Sequence, residues 1–170
     1  MDDPSPRIGV LFVCMGNLCR SPLAEGVFRH QAVQRGAADL FLIDSAGTGD
    51  WHVGEEADER VRRVAARRGV NLDGTARQVK RRDFRRFDYI LCMDEDNRED
   101  LLEMGAPAGK VRLLLECDPQ APMHEVPDPY FGDLDGFELV YRLLDSACRA
   151  LLDQLLAEHA AGGRSGGADA

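Results

Sequence analysis

The chain has 170 residues, the size of one domain with one core, and its 44% hydrophobic and 30% charged content describes a globular, water-soluble chain, not a disordered one. A net charge of −9 argues against a general nucleic-acid binder. The longest apolar run, Ile8 to Cys14, is far too short for a bilayer, and no charged stretch followed by an apolar one opens the chain, so neither membrane association nor secretion is expected.

In chain order, residues 1–6 read as a flexible N-terminus. Ile8–Cys14 is a continuous apolar run that predicts a buried strand, and a helix follows from about Pro22 to Arg35. A second strand is expected over Phe41–Asp44 and a helix over about Ala57–Arg68, stopping at Gly69. Tyr89–Met93 predicts a third strand, followed by a helix from Glu95 to Met104 with Asp94 as N-cap and Gly105 as its stop. Val111–Leu115 predicts a fourth strand. The last helix carries Phe137, Val140, Tyr141, Leu144, Ala147, Cys148, Leu151, Leu152 and Leu155 on one stripe, with Asp135 and Glu138 suited to a capping box. Residues 161–170, rich in Gly, Ala and Ser, read as a disordered tail, which leaves a single domain over residues 7–160. Alternating strands and helices predict an α/β fold with a parallel sheet and helices on both faces; in such folds ligands sit beyond the carboxyl ends of the strands.

Five cysteines at irregular spacing (Cys14, Cys19, Cys92, Cys117, Cys148) argue against a disulfide scaffold and fit the reducing cytoplasm. With no CxxC pair and scattered histidines, neither a structural zinc nor any other metal or cofactor is expected. The arginines between Arg60 and Arg86 read mainly as solvated helix faces.

The chemistry is expected where the first strand ends. Val10-Leu-Phe-Val-Cys14-Met-Gly16-Asn17-Leu-Cys19-Arg20-Ser21-Pro22 is a strand, a tight loop and a helix start in immediate succession. Pro22 suits a first helical turn, and Gly16 and Asn17 are the residue types that most readily take positive φ. Such a loop turns the N–H groups of Met15, Gly16, Asn17, Leu18 and Cys19 inward at the positive end of a helix, forming a nest for phosphate. Cys14 would lie at its base, where the same donors favour a thiolate, and Ser21 can donate to that sulfur. Arg20, six residues on, presents a planar fork that can hold two phosphate oxygens. The chemistry this suggests is a cysteine nucleophile in a phosphate cradle. Because GxxxxGK[ST] is absent, a nucleotide-hydrolysing loop is not indicated. A non-enzymatic phosphate-binding module would need Arg20 and the nest but not Cys14.

A leaving oxygen needs a proton donor. Val126-Pro-Asp128-Pro-Tyr130, where prolines stiffen the loop around an aspartate, is one candidate; Asp118-Pro119 is a rival on the same criterion.

The segment Cys14-Met-Gly-Asn-Leu-Cys-Arg-Ser-Pro22 resembles the signature of the low-molecular-weight protein tyrosine phosphatases. Asp44-Ser-Ala-Gly-Thr48, Ala76-Arg-Gln78, Phe87-Asp-Tyr-Ile-Leu-Cys-Met-Asp94 and Asp128-Pro-Tyr130 are similar too, so the likeness runs from about Ile8 to His159. It implies a four-stranded parallel sheet with the phosphate-binding loop after the first strand, and hydrolysis of phosphotyrosine or a small aryl phosphate through a phosphocysteine, releasing inorganic phosphate. It implies Asp128 as the general acid, since Asp-Pro-Tyr is the family's acid motif. Asn17, Ser21 and Ser45 match positions that support the loop by side-chain hydrogen bonds. The family commonly adds a histidine just before the Ala-Arg-Gln stretch; this chain has Leu72-Asp-Gly-Thr75 there, leaving Thr75 or a water to substitute. Trp51, Tyr130 and Phe131 resemble the family's aromatic walls, which suit an aryl phosphate. Cys19 resembles the family's partner for a reversible Cys14–Cys19 disulfide, and Cys92 and Cys148 read as core. A monomer is expected. Arsenate reductases of related fold share C-x5-R but need a further close cysteine pair, which this chain lacks. Protein arginine phosphatases tend to carry threonine where this chain has Leu18, so Leu18 favours phosphotyrosine.

Overall fold

The computed structural model describes residues 7–130 and 132–169, with side chains described through residue 160. The segment 1–6, expected to be flexible, lies outside the described residues. Four parallel strands form one sheet in the order β2-β1-β3-β4: β1 (Ile8–Cys14), β2 (Phe41–Gly47), β3 (Tyr89–Cys92) and β4 (Val111–Leu113). β1 is central and buried at every residue. Its partners run in register on both sides, Val13 lying opposite Ala46 of β2 and Cys92 of β3. Its side chains divide by the strand's two-residue period. Val10, Phe12 and Cys14 belong to the core under α1 (Arg20–Gln34), α2 (Glu59–Ala66) and α5 (Leu134–Asp169). Leu11 and Val13 belong to the opposite core, with Phe84 of α3 (Asp83–Arg86) and Leu101 of α4 (Glu95–Glu103). Helices therefore cover both faces, as the continuous apolar strands require.

The chain leaves β1 to one side for β2 and returns on the other for β3. The crevice between these diverging connections opens at the carboxyl end of β1, where Cys14 begins its loop.

Several boundaries differ from the sequence expectation. β2 runs on to Gly47 because all seven residues pair with β1. β4 stops at Leu113, and Leu114–Cys117 is a 3-10 turn; an apolar run cannot tell a strand from a buried turn. The four-residue α3 had no periodicity to announce it. The side chain of Asp58 caps α2, accepting from Arg60 N at 2.8 Å, so that helix starts two residues later than expected. For α5 the capping carboxylate is Asp133, which accepts from Gly136 N at 3.2 Å, and not Asp135. Glu138, expected in that capping box, pairs instead with Arg67 and Arg68. The apolar stripe of α5 is buried throughout. Its backbone is helical through residue 169. Among the described residues no helix is long and apolar enough to cross a membrane.

Candidate active site

Cys14 ends β1 and is only 3% exposed. Two donors meet its sulfur: Asn17 N–H at 3.2 Å and the Ser21 hydroxyl at 3.0 Å. Asn17 is what shapes the loop. It holds φ at +57°, the one non-glycine residue among those described to do so, and this turns its N–H to the sulfur. Gly16, expected to share that role, has no positive φ; its use is space, since a Cβ there would lie 3.2 Å from His52 Cδ2. The Asn17 side chain is fully engaged. Its Nδ2 donates to Ser21 Oγ at 2.8 Å and to Ser45 Oγ at 3.1 Å, and its Oδ1 accepts from Arg77 N at 2.9 Å. These bonds fix the direction of the network: Ser21 Oγ accepts from Asn17, leaving its proton for Cys14. Ser45 Oγ likewise accepts from Asn17 and donates to Glu25 Oε1 at 2.6 Å. The carboxylate of Glu25 therefore closes the network; Thr75, one of the two expected substitutes, is exposed and takes no part in it.

The loop is also tied from outside by its carbonyls. Cys14 O accepts from Thr48 N at 2.9 Å, Met15 O from Gly49 N at 3.0 Å, and Leu18 O from Asp58 N at 2.9 Å. Gly47 permits this approach: a Cβ there would lie 2.8 Å from Met15 O, closer than a carbon can sit.

Arg20 begins α1 and is buried to 3% exposure. Its Nη1 donates to Asp94 Oδ2 at 2.6 Å and to Val126 O at 3.0 Å, while Nη2 lies 3.8 Å from Asp128 Oδ2. Burial alone would ease the guanidinium's proton off, but the Cys14 sulfur, Asp94 and Asp128 outweigh it and hold Arg20 above its ordinary pKa. Asp94 performs two tasks, since its Oδ1 caps α4 by accepting from Asn97 N at 2.9 Å. Asp128 is anchored by accepting from Tyr130 N at 3.0 Å, with its side chain 41% exposed. The rival Asp118 sits elsewhere, accepting from Ser146 Oγ at 2.6 Å and Gln120 N at 2.9 Å.

One cavity of about 220 Å³ brings together Cys14, Met15, Gly16, Leu18, Cys19, Arg20, Trp51, Asp128 and Tyr130. Asn17, Ser21 and Ser45 do not line it; they stand behind the loop. Phe131 lies outside the described residues. His52 also lines the cavity and was missed, as nothing in its sequence context distinguishes it; its Nδ1 is 2.9 Å from Glu55 Oε2. The sequence suggests a solvated helix arginine at Arg60. Instead it grips Asp58, through Nε to Oδ1 at 3.0 Å and Nη2 to Oδ2 at 2.9 Å. It also donates to Tyr130 O at 2.9 Å and stacks over the rings of Tyr130 and Phe137. Arg77 is likewise committed, to Asp44 and Asp83, each at 3.0 Å. The segment holding Asp128 is thus clamped to the cap of α2, whose backbone in turn holds Leu18 O.

A thiol, an arginine fork and a carboxylate meeting at the carboxyl end of a parallel strand define the class of the cysteine-dependent phosphatases. Residues 9–161 match the family model described as low molecular weight phosphotyrosine protein phosphatase. The pig protein of that description is 43% identical over 150 residues, covering 86% of this chain and 94% of its own. A protein tyrosine phosphatase from Entamoeba histolytica, solved with Hepes in its active site, superposes with a TM-score of 0.86 at 38% identity, covering 89% of this chain and 99% of its own. A Drosophila arginine phosphatase superposes at 0.80 with 34% identity, covering 86% of this chain and 96% of its own. The chain belongs to the low molecular weight phosphotyrosine protein phosphatase family. Members of that family are cysteine-dependent protein tyrosine phosphatases.

Proposed function

We propose that this enzyme hydrolyses protein phosphotyrosine with Cys14 as nucleophile, Arg20 as the phosphate clamp and Asp128 as general acid. The observation that carries the reading is the Cys14 sulfur, buried yet held by two donors and facing an arginine across one cavity. The thiolate attacks phosphorus in line with the leaving tyrosyl oxygen, which takes its proton from Asp128. Arg20 and the loop amides stabilise the equatorial oxygens as charge spreads over them. The Asp128 carboxylate then activates water, the phosphocysteine is cleaved, and inorganic phosphate leaves while Ser21 supports the departing sulfur. Asp94 keeps Arg20 in place through this sequence. A rapid burst of phenol from an aryl phosphate, with phosphate recovered on the Cys14 peptide after acid quenching, tests the reading; turnover with no phosphoenzyme would overturn it.

Phosphotyrosine is favoured over phosphoarginine by the cavity itself. Leu18 is buried at its edge and presents only methyl groups, with no side-chain partner for guanidinium nitrogens, while Trp51 and Tyr130 suit an aromatic ring. The enzyme acts as a monomer in the cytoplasm, where its five free cysteines would stay reduced.

Arg60 acts as a positioning residue for Asp128. Arg60→Ala should lower kcat roughly 5- to 10-fold for phosphate esters with poor leaving groups, the worth of a partly exposed charge-assisted contact. An activated aryl phosphate, which departs without a proton, should lose much less. An equal loss for both would reduce Arg60 to a structural role.

A redox switch between Cys14 and Cys19 completes the proposal. Peroxide converts the Cys14 thiolate to a sulfenic acid, releasing hydroxide, and the Cys19 thiolate displaces a second hydroxide to close the disulfide. Cys19 is 4% exposed; burial first, then the negative charges of Asp58, Cys14 and Asp128, push its thiol far above the ordinary range. It therefore stays protonated near neutrality, and resolution should quicken with rising pH. After a brief peroxide pulse, the activity that a thiol restores should be greater at about pH 8 than at about pH 6. In Cys19→Ser it should be small at both. Equal recovery in the variant, or peptide maps with no Cys14–Cys19 linkage, would leave Cys19 as a packing residue.

A further inference from the structure

Trp51 is a partition. A second groove of about 540 Å³ lies beyond it and shares Met15 and Trp51 with the catalytic cavity. Gly49 sets the ring: a Cβ there would stand 1.8 Å from Trp51 Cζ3, so the indole rests on bare backbone. Both shared side chains are exposed, Met15 at 47% and Trp51 at 68%, an apolar edge that a substrate held in the catalytic cavity would meet on its way out. The far wall belongs to α4. There Asp100 and Glu103, one helical turn apart, are exposed and enter no ion pair among the described residues. The one cation of α4, Arg98, is directed to Glu95 and Glu116 instead.

We infer that this groove receives the polypeptide flanking the phosphotyrosine, and that Asp100 and Glu103 select an arginine or lysine within about three residues of it. The inference rests on the phosphotyrosine reading above. Three extended residues reach about 10 Å, and the groove adjoins the catalytic cavity through Met15 and Trp51, so the residues nearest the phosphotyrosine are the ones that would enter it. Charge argues for the basic side chain. The phosphate is drawn to Arg20, but the protein as a whole carries −9 and repels an acidic phosphopeptide. A cation beside the phosphotyrosine offsets that repulsion and finds two carboxylates with no competing partner, while its aliphatic stem covers Met15 and Trp51.

The test compares the parent enzyme with the double variant Asp100→Lys/Glu103→Lys on phosphotyrosine peptides carrying Arg, Ala or Glu at each of the three positions on either side. The parent should show kcat/KM for the best Arg peptide roughly three- to tenfold above its Glu counterpart, a ratio that shrinks as salt is raised. The charge-swapped variant should reverse the order. Should the double swap fold poorly, the near-isosteric Asp100→Asn/Glu103→Gln should flatten the preference. A small aryl phosphate does not reach α4, so all three enzymes should turn it over at similar rates. A parent that ranks the peptides equally or prefers Glu, or variants that keep the parent's order, would overturn the inference. Failure of the parent on the small aryl phosphate would instead overturn the phosphatase reading.

Discussion

Cys14→Ser should abolish turnover, by at least about 10⁴-fold, while phosphate and vanadate still bind. The argument is geometric. Serine supplies an oxygen far less acidic than a thiol, so the nucleophile is lost. The binding elements do not depend on it. Arg20 is fixed by Asp94 and Val126 O, and Asn17 by Ser21, Ser45 and Arg77. None of these contacts uses the Cys14 sulfur. Steady-state rates with an aryl phosphate, beside calorimetric titration of the variant with vanadate, separate the two functions. Turnover comparable to the parent's would remove Cys14 from the mechanism. Lost anion binding in a folded variant would mean that the sulfur itself organises the loop.

The second large effect belongs to Asp128. Asp128→Ala should cost on the order of 10²–10⁴ in rate for substrates with poor leaving groups, and little for an activated aryl phosphate. The contrast arises because only a basic leaving oxygen requires the proton. Asp118→Ala should behave differently. That carboxylate is nearly buried and binds Ser146 Oγ and Gln120 N, so its removal leaves donors unsatisfied and lowers stability by about 1–3 kcal/mol with no leaving-group dependence. A graded loss in Asp118→Ala and a uniform one in Asp128→Ala would reverse the assignment.

What the sequence made legible follows from how local each signal is. β1 and its loop are contiguous, so strand, turn residues, Cys14, Arg20 and Pro22 can be read in one pass. The stripe of α5 repeats often enough to be unambiguous. Asp128 was legible only as one of two proline-flanked aspartates until the family resemblance chose between them, because the choice depends on which loop folds over β1. Asp94 shows the limit of local reasoning. The capping rule finds one of its oxygens, while the other serves Arg20, 74 residues away. Arg60 and Glu25 were hidden because the contacts that tie them to the site, Arg60 to Tyr130 O and Glu25 to Ser45, are distant in sequence, and charged residues on helices are usually solvated. His52 is a rim residue with no sequence signature.

The chemistry of this site is rooted in β1, a strand paired on both sides and packed under helices on both faces, whereas its aromatic wall and the acids beyond it sit on exposed turns and on the outer face of α4. A substitution near Cys14, Asn17 or Gly47 disturbs the core and the loop together, so few are tolerated. Trp51, His52, Asp100 and Glu103 touch little that the fold needs, and on the substrate reading proposed above, changes there would alter which phosphoprotein is accepted at small cost in stability. A lineage built on this scaffold can therefore exchange substrates by redrawing its rim while inheriting the reaction intact.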